Sequence, residues 1–159
     1  MSDSTFVQQA GSGGLAEVQL GKLAQRKGAS EEVKQFGQRM VTDHTKSNQE
    51  LATAAQNAGL NVPSAPLPKH QKKMDKLSGK SGAEFDKAYM SAMVNDHTKQ
   101  LELFRQEAQS GQAESLRELA SQTVPVLEQH LTLAKQVAGQ VGADTTVTTT
   151  AQAEQTSSR

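Results

Sequence analysis

Apolar residues recur with the roughly 3.6-residue period of an α-helix along four long stretches of the chain. This pattern predicts four helices, over residues 4–27, 30–58, 82–109 and 113–141. Gly28, Gly59 and Gly111 are suited to end the first three helices, and Ser30 is a good N-cap for the second. From residue 142 to 159 the chain is polar and rich in threonine, which predicts a disordered tail.

The segment between the second and third long helices interrupts the pattern. Residues 59–81 begin with a proline-rich loop, and residues 69–77 can add a short helix. The other two connections are short, so the helices they join are expected to pack antiparallel, whereas this segment can run back along a helix about 40 Å long. The sequence therefore predicts an all-α, ferritin-like four-helix bundle over residues 1–141, with one long crossover connection that holds a short extra helix.

Composition narrows the kinds of partner and chemistry. Lys+Arg and Asp+Glu stand at 17 each, a neutral balance that argues against a nucleic-acid partner. The absence of cysteine excludes thiolate metal sites and cysteine nucleophiles. No apolar run approaches the roughly 20 residues of a membrane span. No signal peptide follows Met1, so a cytoplasmic location stays open.

An internal repeat carries the candidate chemistry. Residues 40–46 read MVTDHTK and residues 93–99 read MVNDHTK. In each copy the methionine and the histidine are four residues apart and share the apolar face of their helix. The repeat therefore places His44 and His97 inside the bundle on two different helices.

His130 and Glu17 lie near the middle of the apolar stripes of the other two long helices, at about the same height as the repeated histidines. One inward-pointing ligand from each helix is the geometry of a metal site in a bundle core. We expect a single transition-metal ion on His44, His97, His130 and Glu17, most readily Zn²⁺, with Cu²⁺ or Fe²⁺ as alternatives. Four protein ligands would close the site, which favours a sequestering or structural role over catalysis.

Six further residues are candidates to support these ligands: Asp43, Asp96, Met40, Met93, Tyr89 and Asp86. Each aspartate could orient an imidazole of a neighbouring helix, or could form a surface pair with Lys46 or Lys99. The methionines could offer a thioether to copper or simply fill the core. A separate group of lysines around His70 is interpreted as a solvated helix face.

Two alternatives to the metal site remain open. The protein could be a metal-free structural, interaction or stress-response bundle in which the histidines form a buried hydrogen-bonded network. It could also be an enzyme, but the Glu-x-x-His motifs of di-iron proteins are absent, which argues against ferroxidase and di-iron oxidase activity.

The motifs together resemble a known family. They are Gly-Gly-Leu-Ala-Glu ending at Glu17, Met-Val-x-Asp-His at His44, Gly-Ala-Glu-Phe-Asp-x-Ala-Tyr at residues 82–89, His97, and Thr-Val-Pro-Val-Leu-Glu-Gln-His ending at His130. In this order and spacing, over about residues 4–141, they are similar to the bacterial domain-of-unknown-function family 4142, often labelled predicted outer membrane protein. The resemblance implies a ferritin-like bundle and a location in the bacterial periplasm or cell envelope, and it implies no established reaction.

Overall fold

The computed structural model describes residues 1–146, which form five α-helices and no strand. The helices are α1 (Asp3–Lys27), α2 (Glu31–Asn57), α3 (Pro68–Ser78), α4 (Gly82–Ser110) and α5 (Glu114–Val141). The predicted all-α bundle, with its short extra helix in the long connection, is confirmed. Most of the predicted disordered tail, from residue 147 onward, lies outside the described residues.

Local capping sets several of the helix ends. The side chain of Ser30 accepts a hydrogen bond from the backbone N–H of Val33, which satisfies one of the free donors at the start of α2. At the end of α5, Gly142 adopts a left-handed conformation (φ 70°) that a residue with a side chain disfavours. The helix runs without interruption through Pro125.

Two aspartates show how the helices are oriented. Asp86, in the first turns of α4, accepts hydrogen bonds from the backbone N–H groups of Ala29 (3.0 Å) and Ser30 (2.8 Å), so α4 begins where α1 ends. Asp3, at the start of α1, accepts from the backbone N–H of Ala113 (2.8 Å), so α5 begins where α1 begins. Around the bundle the order is α1, α2, α5, α4. Every neighbouring pair is therefore antiparallel, as in a bundle with one long crossover.

The crossover follows α1 along its length. Gln8 donates to the carbonyl of Asn61, and the hydroxyl of Ser12 accepts from the backbone N–H of Leu67 (2.7 Å). Lys27 donates to the carbonyl of Ser78 at the other end (2.7 Å). These contacts place α3 over α1 and α4.

Helices α1 and α2 approach closely at two glycines. A Cβ built on Gly37 would lie 2.7 Å from the carbonyl oxygen of Gly21 and 2.8 Å from Cβ of Ala24. A Cβ on Gly21 would lie 2.6 Å from the carbonyl oxygen of Gly37. Because a backbone oxygen of the opposite helix makes the shortest contact at each position, neither has room for a side chain at this helix separation.

The core consists of two apolar clusters, one toward each end of the bundle. The cluster near the start of α1 contains Phe6 and Phe104, whose rings meet edge to face at 5.0 Å. The cluster near the start of α4 contains Phe36, Phe85 and Tyr89. On α2, α4 and α5, the chain passes from one cluster to the other at a histidine. The bundle therefore has a polar layer between two apolar halves.

Candidate metal centre

Three histidines from three helices meet in this layer. They are His44 on α2, His97 on α4 and His130 on α5, and each is at least 96% buried, with exposed fractions of 4%, 0% and 1%. Their ring centroids form a nearly equilateral triangle with sides of 5.6, 5.2 and 5.3 Å. One potential ligand nitrogen from each ring lies within 4.8 Å of the other two. The predicted convergence of the three imidazoles is present.

Two of the three rings are held by a hydrogen bond to their outer nitrogen. Nδ1 of His97 lies 2.9 Å from the carbonyl oxygen of Met93, one turn earlier in α4. A carbonyl can only accept, so Nδ1 carries the proton and Nε2 keeps its lone pair. That lone pair has no partner among residues 1–146.

His130 is fixed by a carboxylate from the neighbouring helix. Its Nε2 lies 2.7 Å from Oδ2 of Asp43, which also accepts from Arg39. The imidazole therefore donates through Nε2, and its buried Nδ1 has no partner in the described chain. Orientation of a ligating histidine by a carboxylate is a common feature of metal sites in proteins.

The three imidazoles are neutral at neutral pH. Burial lowers the pKa of His44 well below its usual value, and the neighbouring rings of His97 and His130 lower it further. Burial, with the nearby His130, lowers the pKa of His97 to about 3. Burial also lowers the pKa of His130, although Asp43 acts in the opposite direction. Neutral imidazole is the form that binds metal ions.

Each ring presents one buried nitrogen without a hydrogen-bond partner among the described residues: Nε2 of His44, Nε2 of His97 and Nδ1 of His130. An unsatisfied buried polar atom costs roughly 1–3 kcal/mol. Three such atoms, one from each ring of the same triangle, are therefore an expensive arrangement for a purely structural core. A single cation bound by the three lone pairs would satisfy all of them.

A cavity of about 20 Å³ lies beside His44 and His130. Its wall also includes Asn48, Gln100 and Thr123. This volume is close to what one water molecule needs, and the polar side chains offer that water hydrogen bonds. The layer therefore has room for a fourth, small ligand and none for a larger molecule.

Glu17 does not belong to the three-histidine group. It is buried on α1 (1% exposed), and its Oε1 accepts a hydrogen bond from Nε2 of Gln100 at 3.2 Å. Burial, together with the negative charge of Asp96, raises the pKa of Glu17 well above its usual value. The carboxyl is thus held by Gln100, in the wall of a second and larger cavity.

The two aspartates of the repeat have different partners. Asp43 orients His130, whereas Asp96 forms an ion pair with Lys73 of α3. Lys73, whose side chain is 30% exposed, is therefore not part of a freely solvated face, contrary to the sequence-based interpretation of the lysine group. The same Asp-His dipeptide serves two structural roles because α2 and α4 have different neighbours.

The remaining predicted supporting residues lie in the core or at a turn. Met40 and Met93 are fully buried in the apolar cluster near the start of α4, and Met93 serves His97 through its carbonyl. The ring of Tyr89 stacks on Phe85 at 5.5 Å, and its hydroxyl has no partner among the residues described. Both carboxylate oxygens of Asp86 are used by the turn between α1 and α2.

Sequence reasoning missed Gln100. This residue lies three positions after His97 on the same face of α4, and it lines both the small cavity at the histidines and the larger cavity at Glu17. The i+3 spacing from His97 was the available signal. A glutamine on the inner face of a helix points to a polar site as a histidine does, because a buried polar side chain requires hydrogen-bond partners.

Comparison with known proteins agrees with the fold. A crystal structure described as a DUF305 secreted protein from Streptomyces coelicolor superposes with a TM-score of 0.74 and 14% sequence identity. The match covers 90% of this chain and 94% of that one. No curated protein matches the sequence. None of the helices in residues 1–146 is both long and apolar enough to cross a membrane.

The family match covers nearly the whole bundle. Residues 1–137 match the family described as Domain of unknown function (DUF4142). This range includes α1 to α4, most of α5 and all three histidines of the central layer. The chain is therefore a member of the DUF4142 family.

Proposed function

We propose that this protein binds one transition-metal ion, Zn²⁺ in the first place, through His44, His97 and His130. The observation that carries the proposal is the triangle of neutral, buried imidazoles, each with one unpartnered nitrogen. Hydrogen bonds from the outer nitrogens of His97 and His130 already select the tautomers that leave the inner nitrogens free. Such a site requires little rearrangement to bind a metal ion.

The three imidazoles are close enough for one zinc ion after a small adjustment. With Zn–N bonds of about 2.0–2.1 Å, the ligand nitrogens of a tetrahedral site are roughly 3.3 Å apart. The three nitrogens lie within 4.8 Å of one another. Each pair therefore has to close by roughly 1.5 Å at most, which small rotations of the rings can supply.

The fourth ligand is best supplied by water. Glu17 is bonded to Gln100 and lies outside the histidine group, while the cavity beside His44 and His130 has room for one water molecule. Three histidines and a water also occur in catalytic zinc sites. Here the space admits no substrate beside that water, which favours sequestration or a structural role. Copper or iron would be accommodated by the same imidazoles.

The cell envelope is the proposed location. The structurally similar DUF305 protein is described as secreted, and the family resemblance implies export. Cell fractionation of the native host, with an antibody to this protein, tests the location. Recovery with the periplasmic fraction supports it, and recovery with a cytoplasmic marker contradicts it.

Equilibrium dialysis against Zn²⁺ followed by metal analysis tests the binding itself. We expect one zinc ion per chain in the wild type, and loss of uptake in His44→Ala, His97→Ala and His130→Ala. His70→Gln changes the one histidine outside the layer and is the matched control. Absence of uptake at micromolar zinc would instead support the metal-free alternative, a structural bundle with a buried histidine network.

A further inference from the structure

A second cavity, of about 400 Å³, lies where α3 crosses α1 and α4. Its volume falls in the range of small-molecule pockets in proteins, roughly 300–1,000 Å³. None of the three histidines of the triangle borders it, and it shares Gln100 with the small cavity beside His44 and His130. The proposed metal site makes no use of this space.

The inner wall of this cavity contains an incompletely satisfied carboxyl group. Oε1 of Glu17 accepts from Gln100, but Oε2 has no hydrogen-bond partner among the described residues although the residue is 99% buried, with 1% exposed. Buried polar atoms are nearly always satisfied in native proteins. Because Glu17 lines the cavity, a ligand or water bound there is the available source of the missing partner.

The charges around the cavity favour an anion. Three lysines border it, Lys69, Lys73 and Lys99, against two carboxyl groups, those of Asp96 and Glu17. Asp96 is paired with Lys73, and neither Lys69 nor Lys99 has an acidic partner within residues 1–146. Burial raises the pKa of Glu17, which disfavours the negatively charged form of this carboxyl. The residues that line the cavity therefore carry an excess of positive charge.

The remaining surface of the cavity is apolar. Leu20 of α1 and Leu103 of α4 line it together with Ala16. A ligand that matches both parts of the lining has an anionic head and an apolar body. An inorganic anion would leave the apolar wall uncovered, and a hydrocarbon would leave the lysines and Glu17 without partners.

We propose that this cavity binds a small organic carboxylate, with its carboxylate at Lys73, Lys99 and Glu17 and its apolar body against Leu20 and Leu103. The site is separate from the proposed metal centre and does not depend on it. The carboxylate of such a ligand can only accept, so Glu17 in its protonated form donates the hydrogen bond that its Oε2 lacks. The ligand also gives Lys99 the negatively charged partner that the described chain does not provide.

Sodium octanoate is a suitable probe, and titration is followed by two-dimensional NMR of the side-chain methyl groups. We expect saturable shifts at Leu20 and Leu103 below the concentration at which octanoate forms micelles. Lys99→Met and Lys73→Met should each weaken binding by about tenfold or more, because a charge-assisted hydrogen bond is lost. Lys46→Met, which removes an exposed lysine of α2, is the control and should bind as the wild type does.

Two further measurements test whether binding needs the carboxylate and whether it depends on the histidine layer. Octanol has a similar apolar chain without the charge and should bind at least tenfold more weakly, and His97→Ala should bind octanoate normally. Equal binding of octanol, or no saturable shift with octanoate in the wild type, would overturn the proposal. Loss of octanoate binding in the folded His97→Ala variant would show that the cavity is not independent of the histidine layer, which also contradicts it.

Discussion

Nε2 of His130 on α5 lies 2.7 Å from Oδ2 of Asp43 on α2. This hydrogen bond fixes the proton on the outer nitrogen of His130 and leaves Nδ1 free toward the other two histidines. Burial of Asp43 would raise its pKa, but the bonds from His130 and Arg39 outweigh that effect and lower it, so the carboxylate stays ionised. It therefore provides negative charge one hydrogen bond away from His130, a proposed ligand of the cation.

The first prediction concerns this pair. Asp43→Asn should weaken zinc binding by about 10–100-fold, because the ligand loses the charge that orients it and raises its basicity. The internal repeat offers a matched control in Asp96→Asn, where the carboxylate pairs with Lys73 instead of a histidine. Competition with a zinc-sensitive chelator measures both affinities. Equal losses in the two variants would show that Asp43 has no special role at the centre.

The second prediction concerns the pH dependence of stability without metal. The pKa of His97 is about 3 in the folded protein and near 6.5 when the chain is unfolded, so between these values only the unfolded state binds the proton. Stability therefore falls as the pH is lowered through this window, by about 1.4 kcal/mol per pH unit for each such histidine. Urea unfolding at pH 7 and pH 5 measures the loss. In His97→Leu the slope of the unfolding free energy against pH should decrease by the equivalent of one proton. An unchanged slope would contradict the neutral buried state of His97.

The third prediction concerns Glu17. Because burial raises its pKa, the folded state retains a proton that the unfolded chain releases above pH 4.5, so stability falls as the pH rises through that window. Glu17→Gln has no proton to lose and keeps an acceptor for Gln100. We expect this variant to be more stable than the wild type at pH 8 by thermal unfolding and to bind zinc with undiminished affinity. A large loss of zinc affinity would restore Glu17 as a metal ligand.

The fourth prediction concerns the close approach of α1 and α2. Gly37→Ala should destabilise the protein by about 1–3 kcal/mol, since the added methyl group meets backbone atoms of α1. Gly139→Ala is the matched control, because a Cβ at that helical position has open space around it. There the substitution should be neutral or stabilise by up to about 1 kcal/mol, as helix propensity favours alanine. Similar denaturation midpoints for the two variants would contradict the tight contact.

Much of the fold could be predicted because each long helix carries its own signal. The apolar stripes and the glycine positions determined four helices, and the length of the middle connection determined the crossover. The three histidines could be placed in one layer because each lies on an apolar stripe near the middle of its helix. The apolar stripes and the positions of the histidines on them can each be recognised within a single helix. Sequence periodicity is therefore sufficient to predict both the helices and the histidine layer.

The partners of Glu17 and Asp96 could not be predicted in the same way. The height of a side chain gives no information about its rotation around the helix axis relative to the neighbours, and each residue changes that direction by about 100°. Glu17 is hydrogen-bonded to Gln100 and lies outside the histidine group. Asp96 pairs with Lys73 because α3 covers that side of α4. These outcomes depend on the packing of the crossover, which carries only a weak periodic signal.

The coordination of zinc in the loaded wild-type protein is the most direct test of the central proposal. Zinc K-edge X-ray absorption counts the imidazole ligands and measures their distances. We expect three imidazole nitrogens at about 2.0 Å and one further oxygen or nitrogen donor. A bound zinc with fewer than three imidazoles, or no zinc retained after dialysis, would contradict a metal centre formed by His44, His97 and His130.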